Sequence, residues 1–388
     1  MNMMRIIKTN KLPIYCWASE VEEGALEQAI HLAEHPFAEH HVCLLPDVHE
    51  GFGMPIGAVL ATKEVIIPNA VGVDIGCGMC AVKTNIRAEK LNYQTLNNIV
   101  LDIKERIPVG FKHHKSKQNL PSNLKKPAGP ITQNELDDIP YQIGTLGGGN
   151  HFIEIQKDKD NFIWIMLHSG SRNLGKKVAE HYNNEAKIRC KHWDSQVSKS
   201  WNLAFLDVNS NLGRQYIEEM NYCLEFAKAN RLHMLDTIKD VFYNHTQCDF
   251  GEMISIHHNY AHYEKHFGEW YWIHRKGAIS AKKGEFGIVP GSQGTPSYIV
   301  CGKGNADSFM SSAHGAGRVI GRREAIRKLD LNSIRKELDK SGIIHSINKQ
   351  KDLDEAPQCY KNIDRVIEEQ KELAEPIYKL YPLAVIKG

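Results

Sequence analysis

The chain has 388 residues, of which 42% are apolar and 24% are charged, the balance of a globular protein with a large core. Its formal net charge of +2 excludes a global electrostatic field for nucleic acid, so any such contact would come from local basic patches. No apolar run reaches membrane-spanning length, and nine irregularly spaced cysteines without a secretion signal favour free thiols in a reducing cytoplasm.

The first predicted elements are short strands over residues 41–85, interrupted by Gly and Pro turns. Residues 86–108 are predicted to form a surface helix. Apolar residues recur there near helical spacing, at Leu91, Leu96, Ile99, Ile103 and Ile107. Residues 109–140 are polar, lysine-rich and Pro-containing, which predicts a basic surface loop or small excursion.

Helical patterns follow at 172–195 and 211–245, strands return over 268–317, and the tail from 321 to 388 is predicted to be mostly helical and charged. The longer pattern aligns apolar residues on one face, namely Ile217, Met220, Leu224, Ala227 and Leu235. Unusual Gly- and His-containing segments are scattered from residue 47 to 318 without an internal repeat. This distribution predicts one domain, residues 1–388, that folds them onto one site.

The segment Val73–Met79 places Asp74 and Cys77 three residues apart in a Gly-rich turn. Glycines permit positive φ angles, so the two side chains can converge on one point. A carboxylate and a thiolate are half of a divalent-metal site. The alternative is a buried structural cysteine beside a turn aspartate.

Residues 147–170 contain two β-prone runs around a polar turn, which predicts a hairpin. If the turn is centred between Lys159 and Asp160, His151 lies directly opposite His168, with Cβ atoms roughly 5 Å apart. Two facing imidazoles would form a metal clamp. A shift of one residue in the turn would remove this argument, and a chance cross-strand pair is the alternative.

Further imidazoles occur at His257 and His258, one of which can be a packed core histidine. The loops 275–278 and 290–297 offer amides and hydroxyls to phosphate. His314 lies among small residues, four positions before Arg318, so it can act as a nucleophile or base beside an anion site. The alternative is a turn histidine with a surface arginine.

Together these segments closely resemble the RtcB family of RNA ligases over nearly the whole chain. The motifs are PDVHEG (46–51), VGVDIGCGM (71–79), GGGNHFIE (147–154), HSGSR (168–172), HHNY (257–260), RKGA (275–278), PGSQG (290–294), HGAGR (314–318) and the terminal VIKG (385–388). The resemblance implies a single α+β domain in which mixed sheets form a metal and nucleotide cleft, with helices packed outside.

The resemblance also implies two Mn²⁺ ions that share the thiolate of Cys77. The other implied ligands are Asp74, His151, His168 and His258; His257 is the doubtful member of its pair. Ligand softness alone suggests zinc, since thiolate and imidazole suit that ion. The family implies manganese.

The residue that carries GMP in this family corresponds to His314. The resemblance implies attack on GTP, transfer of GMP to an RNA 3′-phosphate and displacement of GMP by a 5′-hydroxyl. A 2′,3′-cyclic phosphate would first be hydrolysed. The implied guanine-nucleotide contacts are Asn150, His151, Phe152, Ile153, Glu154, His258, Asn259, Pro290, Gly291, Ser292, Gln293, Ser297, His314, Gly315, Ala316, Gly317 and Lys387.

Arg172 and Arg318 are candidates for holding RNA phosphates, and Asp47 and His49 are expected to line the site. The expected partners are tRNA halves or cleaved RNA, with no membrane, and the chain is expected to be a monomer. Two other functions remain open: a metal phosphoesterase that opens cyclic phosphates without joining ends, and a non-catalytic RNA-binding protein whose metal stabilises the fold. The phosphoesterase would not need His314 or the nucleotide loops.

Overall fold

The computed structural model describes residues 4–192 and 197–388, with no side chains described for residues 191 and 192. The strands are β1 (Arg5–Ile7), β2 (Ile14–Cys16), β3 (Ala38–Phe52), β4 (Met54–Thr62), β5 (Val65–Ile66), β6 (Gly78–Arg87), β7 (Phe152–Lys157), β8 (Phe162–Ser169), β9 (Leu206–Asp207), β10 (Phe250–His257), β11 (Asn259–His266), β12 (Glu269–Lys276), β13 (Ala278–Ser280), β14 (Phe286–Val289), β15 (Ser297–Gly302), β16 (Ser311–Ala313) and β17 (Ala374–Lys387). The helices are α1 (Glu23–Glu34), α2 (Pro68–Val71), α3 (Tyr93–Arg106), α4 (Pro130–Glu135), α5 (Ile139–Gln142), α6 (Arg172–His192), α7 (Asn211–Thr246), α8 (Arg322–Lys328), α9 (Leu331–Lys340) and α10 (Ile363–Glu369).

Two sheets organise the molecule; the first is mixed, with β2 and β3 parallel, whereas the second is wholly antiparallel, although mixed sheets were expected. The first has six strands in the order β1-β2-β3-β4-β12-β11, and the second has seven in the order β10-β6-β8-β7-β17-β15-β14. Helices α3 and α7 cover one face of the seven-stranded sheet, where Leu96 and Ile99 of α3 and Leu235 of α7 pack against Ile153 and Ile165. The α+β prediction is therefore confirmed. Within the described residues, no helix combines the length and the apolar character needed to cross a bilayer.

Helices α3, α6 and α7 form where three helices were predicted, but the first begins later than residue 86, because Ile86 and Arg87 belong to β6. In α3 the apolar positions Leu96, Ile99 and Ile103 are buried, while Leu91 and Ile107 flank the helix. Asn92 begins the helix by accepting a hydrogen bond from the backbone N–H of Thr95. The last residues of the predicted helix 172–195 lie outside the described residues.

The hairpin of β7 and β8 was predicted with a register that is wrong by one residue. His168 pairs with Phe152 rather than with His151. The Asp158 carboxylate accepts from the backbone N–H groups of Asp160 and Phe162, and Asn161 adopts a φ of 63°. These interactions centre the turn on Asp160, half a position later than the sequence argument assumed.

The prediction of a mostly helical tail is wrong for residues Ala374–Lys387, which form β17. This strand lies inside the seven-stranded sheet, between β7 and β15. Residues 109–140 are largely irregular, as predicted, but include the short helix α4 and the first two residues of α5.

Candidate functional site

One cavity of about 650 Å³ lies where the two sheets meet. It is lined by the sequence motifs that the chain scatters over almost its whole length. The lining includes His49, Asp74, Cys77, Asn150, Phe152, Glu154, His168, His258, Asn259, Pro290, Gly291, Ser292, Gln293, His314, Gly315, Ala316, Gly317, Arg318 and Lys387. The fold therefore brings most of the predicted site residues to one place.

The turn before β6 carries Asp74 and Cys77. The backbone N–H of Cys77 donates to the Asp74 carbonyl, and Gly76 has a φ of 79°. A Cβ atom at Gly76 would lie 2.9 Å from the carbonyl oxygen of Cys223 in α7, so only glycine fits there. The turn thus fixes the thiol at the bottom of the cavity with the carboxylate at its mouth.

His151 and His168 are oriented by backbone carbonyl groups. Nδ1 of His151 lies 2.9 Å from the Leu146 oxygen, and Nδ1 of His168 lies 3.1 Å from the Asn150 oxygen. A carbonyl can only accept, so each Nδ1 must carry the proton and each Nε2 must present a lone pair. Burial lowers the pKa of His168 well below its ordinary value, which keeps that ring neutral.

Both lone pairs face the thiol of Cys77. Nε2 of His151 lies 3.4 Å from Sγ and Nε2 of His168 lies 3.2 Å from it, while Oδ2 of Asp74 is 3.2 Å from Nε2 of His151. A single S–H cannot satisfy two lone pairs, and a carboxylate beside a lone pair is repulsive. A divalent cation would satisfy all of these groups, so Cys77, His151 and His168 form a candidate metal site.

His258 belongs to the same wall, whereas His257 does not. The His258 ring is 5.1 Å from the His168 ring between centroids, and its buried Nδ1 has no hydrogen-bond partner among the described residues. Burial lowers its pKa well below the ordinary value. His257 instead places Nδ1 3.0 Å from the Gly76 carbonyl, beside Arg231. The predicted choice of His258 thus agrees with the placement of both rings.

His314 follows β16 and faces this wall, with its ring 4.8 Å from the His258 ring between centroids. Oδ2 of the fully buried Asp47 lies 2.6 Å from Nδ1 of His314 and also accepts from the backbone N–H groups of His314 and Gly315. The carboxylate fixes the proton on Nδ1, so Nε2 presents its lone pair. Asp47, expected only to line the site, is the orienting group of His314.

Three of the predicted nucleotide residues do not line the cavity: His151, which faces Cys77 from behind it, Ile153 and Ser297. Ile153 packs in the core beneath α3 and α7. Ser297 is buried behind the 290–293 loop, where its hydroxyl accepts from Gln156 and from the backbone N–H of Gly291. Ser297 therefore supports the loop from behind, and Ile153 can offer only its backbone.

The opposite end of the cavity is basic and centres on one buried carboxylate, Glu355. It contacts Lys387 at 2.5 Å, Arg322 at 2.6 Å and Arg318 at 3.3 Å. Tyr360 also donates to it at 2.7 Å. Arg322 also pairs with the Asp354 carboxylate at 2.8 Å. Three cations and two carboxylates leave this cluster with one net positive charge.

Sequence reasoning missed Glu355 and the role of Lys276. The buried Lys276 amine donates to the carbonyl groups of Phe52, Met54 and Asn69, and it thereby ties the β3–β4 turn and α2 to β12. Burial lowers its pKa to about 7. For Lys276, the sequence offered one signal of a role, its position in the short RKGA segment between two strands. Glu355 lies in an acidic stretch of the sequence that carries no such signal.

Arg172 and Arg318 have their guanidinium groups engaged with the protein. Arg172 donates to the Thr145 hydroxyl and to the carbonyl groups of Leu146 and Gly110. Arg318 contacts Glu355 and the carbonyl group of Asp354. Both side chains are thus held in place by the protein; Arg318 lines the cavity, whereas Arg172 lies outside its lining.

Comparison with known proteins agrees with this site. The family model described as "tRNA-splicing ligase RtcB" matches residues 28–138 and 122–388. The RNA-splicing ligase RtcB of Escherichia coli K12 is 36% identical over 409 residues and covers 99% of both chains. The tRNA-splicing ligase RtcB of Pyrobaculum aerophilum is 29% identical, over 97% of this chain and 95% of the relative. The RNA-splicing ligase RtcB of Mycobacterium tuberculosis is also 29% identical, over 93% of this chain and all of the relative. The chain therefore belongs to the RtcB family.

Proposed function

We propose that this chain is an RNA ligase that uses GTP and Mn²⁺ to join RNA ends, in tRNA splicing or RNA repair. One end carries a 3′-phosphate or a 2′,3′-cyclic phosphate and the other carries a 5′-hydroxyl. The names of the relatives support an RNA ligase. The observation that carries the chemistry is His314, whose Nδ1 is held by Asp47 beside the thiol and imidazole cluster.

His314 would act as the nucleophile toward GTP. With the proton fixed on Nδ1, the Nε2 lone pair attacks the α-phosphorus, a bond between Nε2 and phosphorus forms, and the bond to pyrophosphate breaks. Asp47 would stabilise the positive charge that develops on the ring. The product is a histidine–GMP phosphoramidate.

Two further displacements would complete the reaction. An oxygen of the RNA 3′-phosphate attacks the α-phosphorus of histidine–GMP, which releases His314 and gives an RNA end with a diphosphate link to guanosine. The RNA 5′-hydroxyl then attacks the 3′-phosphorus, loses its proton to solvent and expels GMP. The basic end around Glu355 suits the phosphates of these substrates.

Metal binding fits the donors that the chain presents. Asp74, Cys77, His151, His168 and His258 would hold two Mn²⁺ ions, with the Cys77 thiolate shared. When bound, the ions would neutralise charge on the phosphates and favour water attack on a cyclic phosphate. Thiolate and imidazole also suit zinc, so manganese follows the family resemblance, while the Asp74 carboxylate adds an oxygen that manganese favours.

The guanine base would lie near Phe152, Glu154 and Lys387. Phe152 offers an aromatic face, Glu154 offers an acceptor, and the Lys387 amine lies 5.9 Å from the Phe152 ring centroid. Asn150, Asn259, the 290–293 loop and residues 315–317 would contact the sugar and phosphates. Because all nine cysteines are free, a reducing cytoplasm suits the chain, and we expect a monomer.

The deciding experiment is incubation of the protein with Mn²⁺ and α-labelled GTP. We expect a covalent adduct that is labile in acid and stable in alkali, as a phosphoramidate is, and that disappears in His314→Ala. In Asp47→Asn the adduct should form at least about a hundredfold more slowly, because the Nδ1 proton is no longer fixed. No adduct from the wild type, or an unchanged adduct in His314→Ala, would refute the proposal.

A metal phosphoesterase would need only the thiol and imidazole cluster. The three contacts from Asp47 to His314 and Gly315 have no purpose in such an enzyme. The same holds for a non-catalytic RNA-binding protein. Their presence favours the ligase.

A further inference from the structure

The segment 107–134 carries charge of one sign only. It contains five lysines and no acidic residue, although the whole chain has a net charge of only +2. Nothing in the proposed chemistry at His314 uses these lysines. A positive surface of this density is typical of phosphate-backbone binding.

The beginning of this segment is fastened to the wall of the cavity. The backbone N–H of Gly110 donates to Gly147, and that of Leu146 donates to Pro108. Arg172 donates to the Gly110 carbonyl. Leu146 also accepts from Nδ1 of His151, so the segment starts directly behind the candidate metal site.

Phe111 is the most exposed large apolar side chain of the described residues, at 103% of its reference area. The next residue is Lys112, and Lys115 follows, both exposed. Neither lysine has a carboxylate within 4 Å in the described parts of the chain. An aromatic ring without packing and two cations without partners are therefore presented together.

This group adjoins the open rim of the cavity. A Cβ atom built on Gly148 would lie 3.6 Å from the Cα atom of Gly110, and Gly148, Gly149 and Asn150 are exposed. Asn150 lines the cavity itself. A strand leaving the cavity over Asn150 would meet Phe111 within a few nucleotides.

We infer that Phe111, Lys112 and Lys115 form a contact surface for the single-stranded RNA that leads out of the active site. One unpaired base stacks on the Phe111 ring, and the two lysines bind the neighbouring phosphates. Sequence-tolerant RNA sites combine an aromatic platform with a cationic track in this way. The inference rests on the proposed RNA-ligase function and assigns part of its substrate site.

The test measures equilibrium binding of a single-stranded RNA oligonucleotide with a 3′-phosphate, without GTP. Phe111→Ala should weaken binding about tenfold through lost stacking. Lys112→Ala with Lys115→Ala should weaken it and reduce the slope of log affinity against log salt by about 0.7 per lost phosphate contact. Phe111→Leu should behave like Phe111→Ala, because it keeps apolar area without a ring face.

Matched controls come from a remote exposed pair on the same chain. Tyr93→Ala and Lys90→Ala, which remove an exposed aromatic side chain and an exposed lysine three residues apart near the start of α3, should leave RNA binding unchanged. A blunt RNA duplex should not distinguish Phe111→Ala from the wild type, since its bases are already stacked.

RNA binding by the variants at wild-type affinity would overturn the inference and indicate that this surface serves another partner, such as an acidic protein. Full affinity in Phe111→Leu, or an equal loss on duplex RNA, would overturn the stacking role. Adduct formation from α-labelled GTP without RNA should be the same in all these variants and the wild type. Failure of that assay in the wild type would count against the proposed function, whereas failure confined to RNA binding would count against this surface.

Discussion

The two ends of the cavity differ in electrostatic character. At the sulfur end, Cys77 meets imidazole lone pairs that backbone carbonyl groups direct toward it, so the groups present lone pairs and lack a cation. At the basic end, Lys387, Arg318 and Arg322 surround Glu355. These side chains present N–H donors, and their positive charge exceeds the negative charge beside them. The first end suits a metal and the second suits phosphate.

The difference shows how the two ends are built. The thiol and the two imidazoles at the sulfur end are buried, the imidazoles are oriented by main-chain carbonyl groups, and Asp74 adds a carboxylate at the mouth. The basic end is preorganised by a side-chain carboxylate that keeps the cations in place before an anion arrives. A substrate phosphate between them would be attracted from both sides.

The largest effect should come from removing the shared thiol. Cys77→Ala should abolish both the GMP adduct and RNA joining, because the candidate metals lose their common ligand.

Cys80→Ala is the matched control for Cys77→Ala. Cys80 is a buried thiol three residues further along, in β6, with its pKa raised to about 12 by burial, and it packs in the core beneath α3 and α7. Removal of the Cys80 thiol should lower the free energy of unfolding by about 1 kcal/mol and leave the activity unchanged. Measurement of adduct yield and of unfolding in denaturant separates the two. An active Cys77→Ala variant would contradict the sulfur end as a metal site.

A smaller effect is expected at the basic end. Lys387→Ala should raise the KM for GTP about tenfold, equivalent to about 1.4 kcal/mol, because a cation beside Phe152 and Glu355 is lost. Circular dichroism should show an intact fold, since Glu355 keeps Arg318 and Arg322. Lys379→Ala provides the control on the same strand, because Lys379 pairs with the exposed Asp364 at 2.9 Å. If both variants have wild-type KM, Lys387 does not contact the nucleotide.

The smallest effect concerns pH and Glu154. Burial raises the pKa of this carboxyl to about 8, although Lys387 and Gln156 act in the opposite direction. Guanine offers N–H donors, which an ionised carboxylate accepts better than a protonated one. GTP therefore favours the ionised form, and the KM for GTP should fall by up to about tenfold as pH rises from 7 to 9. Steady-state kinetics should show this slope in the wild type and a flat profile in Glu154→Gln. A flat wild-type profile would exclude Glu154 from base recognition.

The regular parts of the fold were predictable from local patterns. Helices α3 and α7 have apolar residues at helical spacing, and both formed where this spacing predicted. Strand β17 was not anticipated, since it follows a charged helical stretch and its strand character depends on partners β7 and β15, which are distant in sequence. Long-range pairing of this kind leaves little local signal.

The convergence of His151 and His168 was predicted, but the geometric argument for it was wrong. The true register pairs His168 with Phe152, so strand pairing does not place the two rings opposite each other. His151 lies just before β7, outside the ladder, and the Leu146 carbonyl turns its ring toward Cys77. A backbone contact of this sort cannot be read from residue spacing. The orienting role of Asp47 is hidden in the same way, because it depends on two segments far apart in the chain.

The position of β17 has a consequence for how the chain reaches its native state. This strand pairs with β7, whose residues were synthesised long before it, and it also carries the edge on which β15 and β14 assemble. Closing so large a loop carries an entropic cost that slows formation of the sheet. Until β17 inserts, the backbone N–H and C=O groups on one edge of β7 have no strand partner, so refolding should be slow and most prone to aggregation at this step.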